Sequence, residues 1–169
     1  LSNIIANLSL LESNRNEVAN FCSGLFYIPD IHISRNIGPM PYNNPSVRFI
    51  KSHDIYNPYY NFVIYLVRHP FNVMKSYYRH IIQRNPKLNI TFISFLKNKN
   101  HGILKWKEHI NSWLTGGHTS QRIHLLRYED LVKDTQFYID ELYKNFGWHF
   151  NESNLTKAIE ISSINNMKN

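Results

Sequence analysis

Ile64-Tyr65-Leu66-Val67-Arg68-His69-Pro70-Phe71-Asn72-Val73-Met74-Lys75-Ser76-Tyr77-Tyr78 is the stretch on which the fold turns. The run Phe62 to Val67 is apolar at every position, the pattern of a strand buried on both faces in a parallel sheet. Pro70 then sits where a helix can begin, because the first helical residue has no use for its N–H. Strand, arginine and helix start follow one another within a few residues. In open α/β sheets ligands bind at this carboxyl edge of the strands.

Outward from this stretch, Val47 to Lys51 and Arg122 to Leu126 read as further strands. Helical spacing predicts helices over 1–11, 70–83, 91–96 with Thr91 as N-cap, 102–114, 135–146 and 152–161. A further short helix is expected over 17–21. From Ser23 to Asn44 the chain is punctuated by Pro29, Gly38, Pro39 and Pro41, so irregular connections are expected there, of the kind that cover binding sites. Strands alternating with helices predict an α/β fold with a parallel sheet and right-handed crossovers.

A chain of 169 residues supplies one core, and 43% apolar content excludes general disorder. Nineteen Lys and Arg against twelve Asp and Glu leave a net charge of +7, which calls for an anionic partner: nucleic acid, an acidic membrane or a small polyanion. With Cys22 alone, no intramolecular disulfide or thiolate zinc site can form, which is compatible with a reducing cytoplasm. No apolar run is long enough to span a bilayer. The chain opens at Leu1, without methionine, directly into a helical apolar stripe, as expected of a cut N-terminus.

Three strand ends carry side chains able to do chemistry. Arg68 offers a planar fork for phosphate or sulfate oxygens, and the helix start adds partial positive charge. Ser76 lies about 9 Å further along that helix, so an anion touching both must lie beside it. The alternative is that Arg68 pairs with a carboxylate and Ser76 faces solvent. Period two places Lys51 and His53 on one face, a cation beside a titratable imidazole, against the alternative of a solvated loop histidine. Tyr128 ends the third strand, free to stack, hydrogen-bond or pack in the core. Trp106, Trp113 and Leu114 around His109 read as a core-facing stripe more readily than as a sugar platform.

Jointly these segments resemble the sulfotransferases that use 3′-phosphoadenosine 5′-phosphosulfate (PAPS). Lys51-Ser52-His53 resembles the family's Lys-Thr/Ser-His, and Arg68 to Tyr78 its Arg-Asp-Pro-x-Asp-x-x-x-Ser-Tyr-Tyr signature. Arg127-Tyr128-Glu129-Asp130-Leu131 matches Arg-Tyr-Glu-Asp-Leu, and Gly102 to Leu114 is similar to a Trp-x-x-His-x-x-x-Trp helix. Phe146-Gly147 and Ser162 to Lys168 are similar to Phe-Leu-Gly and Ser-Ser-Phe-x-x-Met-Lys.

The resemblance implies a three-layer, P-loop-NTPase-like α/β fold with a central parallel sheet flanked by helices, here truncated at both ends, with residues 1–169 forming a partial sulfotransferase domain. It implies PAPS as co-substrate, no metal, and sulfuryl transfer to a hydroxyl or amine of a small-molecule or glycan acceptor, in the cytoplasm. By the same resemblance His53 is the general base and Lys51 stabilises charge near the transferred group. Arg68 and Ser76 hold the 3′-phosphate, while Tyr128, Ser162, Ile164 and Met167 line the cofactor site. The family's Pro-Lys-Ser-Gly-Thr-Thr-Trp loop and its Arg-Lys-Gly segment are not in this sequence, which leaves a fragment expected to be inactive alone. His69 stands where the family has Asp or Asn, and Ile164 where an aromatic stacks on adenine. Two other functions compete: a P-loop kinase, with Glu129 and Asp130 as the metal-holding candidates, and a basic nucleic-acid-binding module, for which no basic run or zinc spacing speaks.

Overall fold

The computed structural model describes residues 1–32, 49–116, 123–163 and 166. The chain forms two compact units, Leu1–His53 with Thr135–Asn169, and Asp54–Asp134. The first draws on both ends of the chain and the second on its middle.

In the first unit, α1 (Ser2–Glu12) carries Ile5, Ala6, Leu8 and Leu10 into the core. Its buried Asn7 is fully engaged, with the side-chain amide donating to the Ala19 carbonyl (3.0 Å) and to Ser162 Oγ (2.9 Å) while Oδ1 accepts from the Ala19 N–H (2.7 Å). A buried amide needs such partners, because leaving one unmet costs about 1–3 kcal/mol. The helix stops where Asn14 enters the left-handed region at φ 54°. The Asn14 and Arg15 amides then turn back onto Leu11 and Leu10 carbonyls, closing a Schellman turn.

The helix expected over 17–21 does not form. The backbone of Ala19 is held by Asn7, and Asn20 Oδ1 takes the amides of Cys22 and Ser23, so local side-chain bonds outcompete the helical ladder. A single helical turn, α2 (Gly24–Tyr27), follows instead. Leading out of it, Asp30 and Lys51 form an isolated parallel bridge, with the Ile31 N–H on the Lys51 carbonyl (3.0 Å) and the Lys51 N–H on the Pro29 carbonyl (2.9 Å). Of the strand expected over 47–51, Val47 and Arg48 lie outside the described residues, Phe49 and Ile50 are not in a strand, and Lys51 contributes this one bridge.

In chain order, α7 (Thr135–Phe146) and α8 (Glu152–Ile161) complete the unit. The stripe Ile139, Leu142 and Tyr143 buries one face of α7. Gly147, at φ 70°, ends it in a second Schellman turn, with Trp148 donating to Tyr143 O (2.9 Å) while their rings pack edge to face. Leu155 and Ala158 of α8 are buried, and Glu12 of α1 accepts from the Asn151 N–H and the Asn154 amide, each at 2.9 Å.

The second unit holds β1 (Val63–Val67) and β2 (Ile123–Arg127), which pair in parallel from Val63 opposite Ile123 to Val67 opposite Arg127. Parallel neighbours need a long crossover. It consists of α3 (Pro70–Arg84), α4 (Phe92–Leu96) and α5 (Ile103–Gly116), and α6 (Tyr128–Lys133) follows β2 directly. Thr91 caps α4 as expected, its Oγ1 accepting from the Ser94 N–H at 3.1 Å. Phe95, 1% exposed, is ringed by Tyr77, Tyr78 and Phe92. Burial of the strands on both faces is only half met. Tyr65 and Leu126 are buried, yet Leu66 and Leu125 are 40% and 51% exposed. The register sets Leu66 beside Leu126 on one face and Leu125 beside Tyr65 on the other, so among the described residues each face of the two-stranded sheet is covered only in part.

Candidate functional site

The register of the sheet sets the geometry at its carboxyl edge. Val67 faces Arg127, so the next residues, Arg68 and Tyr128, are neighbours across the strands, as are His69 and Glu129 after them. The Arg68 guanidinium stands 4.4 Å above the centroid of the Tyr128 ring, a cation–π contact. The His69 N–H donates to Glu129 Oε1 at 3.0 Å. This amide, with Glu129's own, lowers the Glu129 carboxyl below its usual range, helped by the fields of Arg127 and Arg68. Asp130 pairs with Arg127 at 3.7 Å, so both acidic residues of the kinase reading are engaged by groups of the protein itself.

Among the described residues Arg68 forms no ion pair with a carboxylate, and its guanidinium face rests on Tyr128. Tyr128 takes neither a core position nor a solvated one: it is half-buried and covered by Arg68. Ser76 is exposed on α3. Its neighbours Tyr77 and Tyr78 are tied away from it, Tyr77 Oη to His101 Nδ1 (3.1 Å) and Tyr78 Oη donating to the Ile90 carbonyl (2.8 Å).

Three residues upstream of Arg68, Tyr65 lies buried with its Oη 3.1 Å from His109 Nδ1 and its ring stacked on Trp113 at 5.3 Å. Burial pushes this phenol up to about 12. Trp113 Nε1 donates to the Asp54 carbonyl at 3.0 Å. The core-stripe expectation therefore holds for Trp113, while Trp106 is half-buried and Leu114 exposed. Spacing alone could not reveal the Tyr65–His109 pair, because the two are 44 residues apart.

In the other unit Lys51 and His53 do converge, on a carboxylate that sequence reasoning missed. Asp30 is 1% exposed, and its Oδ2 lies 3.2 Å from Lys51 Nζ and 3.6 Å from His53 Nε2. Its Oδ1 accepts from the His32 N–H at 3.0 Å. The approach of Lys51 to Oδ2 is off hydrogen-bond geometry, so this oxygen is ion-paired without a directed hydrogen bond. Burial alone would raise the Asp30 carboxyl. The His32 amide, Lys51 and His53 outweigh it and hold the group below its ordinary value. Ser162, expected at the cofactor, accepts from Asn7 and closes α8 against α1. Ile164 and Met167 lie outside the described residues. Among the described residues no group of three His, Cys, Asp or Glu side chains converges as a metal site, and no helix is long and apolar enough to cross a membrane.

Residues 11–169 match the family profile of the sulfotransferase domain. The chain belongs to the sulfotransferase-domain family. It is 32% identical to mouse sulfotransferase 2A6 over 112 residues and 29% identical to rat sulfotransferase 2A2 over 116, each match covering 63% of this chain. The sulfotransferase-domain chain spans only 38% and 40% of the length of these relatives. Among solved structures it is similar to mouse sulfotransferase SULT7A1 complexed with PAP, at 25% identity and TM-score 0.52 over 64% of this chain and 40% of that one. It also shares the fold of retinol dehydratase in complex with androsterone and inactive cofactor PAP, at TM-score 0.58 and 22% identity over 74% of this chain and 39% of that one. The P-loop-like α/β fold expected from the resemblance is thus the fold of its structural neighbours.

Proposed function

We propose that the full-length domain to which this chain contributes transfers the sulfuryl group of PAPS to a hydroxyl or amine of a small-molecule acceptor. The bond between sulfur and the 5′-phosphate oxygen breaks, a bond from sulfur to the acceptor oxygen or nitrogen forms, and adenosine 3′,5′-bisphosphate leaves. His53 takes the acceptor proton, and Lys51 offsets negative charge at the transferred group. Arg68 and Ser76 bind the 3′-phosphate, and Tyr128 meets the adenine. Among acceptors, the androsterone held by one structural neighbour favours a small apolar alcohol over a glycan. The free, exposed Cys22 suits a cytoplasmic setting.

The observation that carries this reading is the state of Arg68. A guanidinium stacked by its face on an aromatic ring keeps its in-plane N–H donors available, and those donors match phosphate oxygens two at a time. Stacked on Tyr128 and in no ion pair with the described residues, Arg68 is a cation held ready for an anion, next to the ring assigned to adenine. Reaction by in-line displacement needs little more of a protein than such positioning and charge.

Calorimetry on Arg68→Ala tests the assignment. The variant is expected to lose about tenfold or more in affinity for adenosine 3′,5′-bisphosphate and little for the analogue without a 3′-phosphate, since a charge-assisted bidentate contact contributes ~1.5–3 kcal/mol. Equal losses for both ligands would refute the 3′-phosphate role.

A further inference from the structure

We infer that Asp30 is a positioning residue, which holds the His53 imidazole and the Lys51 ammonium together from below and stabilises the imidazolium that forms when His53 takes a proton. This rests on the sulfuryl-transfer reading and adds to it a residue outside every motif of the sequence.

The argument begins with cost. Removing a carboxylate from water carries a penalty of several kcal/mol, so a buried aspartate needs compensating partners. Asp30 has them, and their arrangement is uneven. Oδ1 is committed to the His32 amide, which fixes the carboxyl plane. Oδ2 is left facing Lys51 and His53, whose side chains are 41% and 67% exposed. A buried anion thus underlies two side chains that reach outward, the arrangement needed to aim groups at a ligand. The backbone contributes as well, because the Asp30–Lys51 bridge fixes the separation of the two chain segments through two hydrogen bonds.

The 3.6 Å between Oδ2 and His53 Nε2 is too long for a hydrogen bond and short enough for a strong field. Oδ2 has no directed hydrogen bond to give up. A proton gained by His53 converts the contact into a charge-assisted one, so imidazolium is favoured where a general base must form it. Among the described residues, the charged and titratable groups facing His53 include Asp30, the Lys51 that shares its carboxylate, and His32, whose ring centroid lies 6.3 Å away.

The test is an NMR titration of the His53 ring signals, assigned by their loss in His53→Gln. In Asp30→Asn, which keeps the size and the acceptor for the His32 amide, the His53 midpoint is expected to fall while that of His101 stays in place. An unmoved His53 midpoint in the folded variant overturns the inference. The native protein provides a second readout that needs no variant: the His53 signals should carry a smaller inflection in the acid range, where Asp30 takes its proton. Its absence is equally fatal. In turnover by a full-length version that carries the phosphosulfate loop, Asp30→Asn should lower kcat by roughly tenfold, shift the acidic limb of the pH–rate profile to lower pH and leave PAPS affinity in place. Asp30→Glu, which restores the charge, should recover part of the rate. Unchanged kcat in Asp30→Asn removes the positioning role even if the midpoint moves. A protein that transfers no sulfuryl group fails the functional reading, and the titration then decides the Asp30–His53 coupling by itself.

Discussion

The edge that carries Arg68 and the cluster around Asp30 are built by opposite means. Arg68 meets Tyr128 because two regular strands pair in register, and everything beyond Val67 and Arg127 follows from that ladder. Lys51 and His53 meet because a single bridge joins two irregular segments and a buried carboxylate stands between them. One arrangement derives from periodic structure, the other from one charge. Regular structure spreads its stabilisation over many contacts, whereas a lone buried charge concentrates it. Perturbations should therefore act differently on the two.

The largest effect is expected in the packing behind the Arg68 edge. Phe95→Ala removes a buried ring from among Tyr77, Tyr78 and Phe92 and should cost about 3–5 kcal/mol in urea unfolding. Adenosine 3′,5′-bisphosphate affinity should fall with it, since α3 carries Ser76. A loss below ~1 kcal/mol would mean that the edge does not depend on this packing and would erase the contrast.

How much of each region was legible in the sequence follows the same division. The 62–67 run, the Pro70 helix start and the Thr91 cap are local signals, and each appears within a residue or so of its expected place. Arg68 and Tyr128 could be assigned to one sheet edge, but their stacking needed the register. Lys51 and His53 were legible as a pair sharing a face. Asp30 was not, because its partners are more than twenty residues away and a Pro-Asp step in an irregular stretch looks like any turn. The helix expected over 17–21 failed for a related reason: the spacing was helical, but Asn7, twelve residues before Ala19, had a prior claim on its backbone.

Next in size comes Tyr65, on the same strand as the Arg68 edge. With the phenol raised from 10.0 to about 12, the folded state holds that proton more tightly than the unfolded chain. The stabilisation is complete below pH ~10 and is lost as pH rises through the folded value, about 3 kcal/mol at most for a shift of this size. Tyr65→Phe keeps the stack on Trp113 and should remove this alkaline loss from denaturant midpoints measured between pH 9 and ~12. The same alkaline slope in both proteins would show that the phenol is not what titrates.

The smallest effect compares a cap in each region. Thr91 and Asn151 each accept from an amide two or three residues on, Ser94 N–H at 3.1 Å and Ser153 N–H at 2.9 Å. Replacing either by Ala should cost about 1 kcal/mol if only the cap is lost. Asn151, however, also donates its backbone N–H to Glu12, which accepts from Asn154 too, so the start of α8 is pinned to α1 without the side chain. Alanine keeps that backbone N–H, and the tertiary tie should hold the helix start in place. Asn151→Ala is then expected to cost less than Thr91→Ala in urea unfolding, where α4 has a single short helix to fray. A larger loss at Asn151 would show that the cap positions the amide for Glu12, and that even the helical part of the first unit depends on single polar contacts.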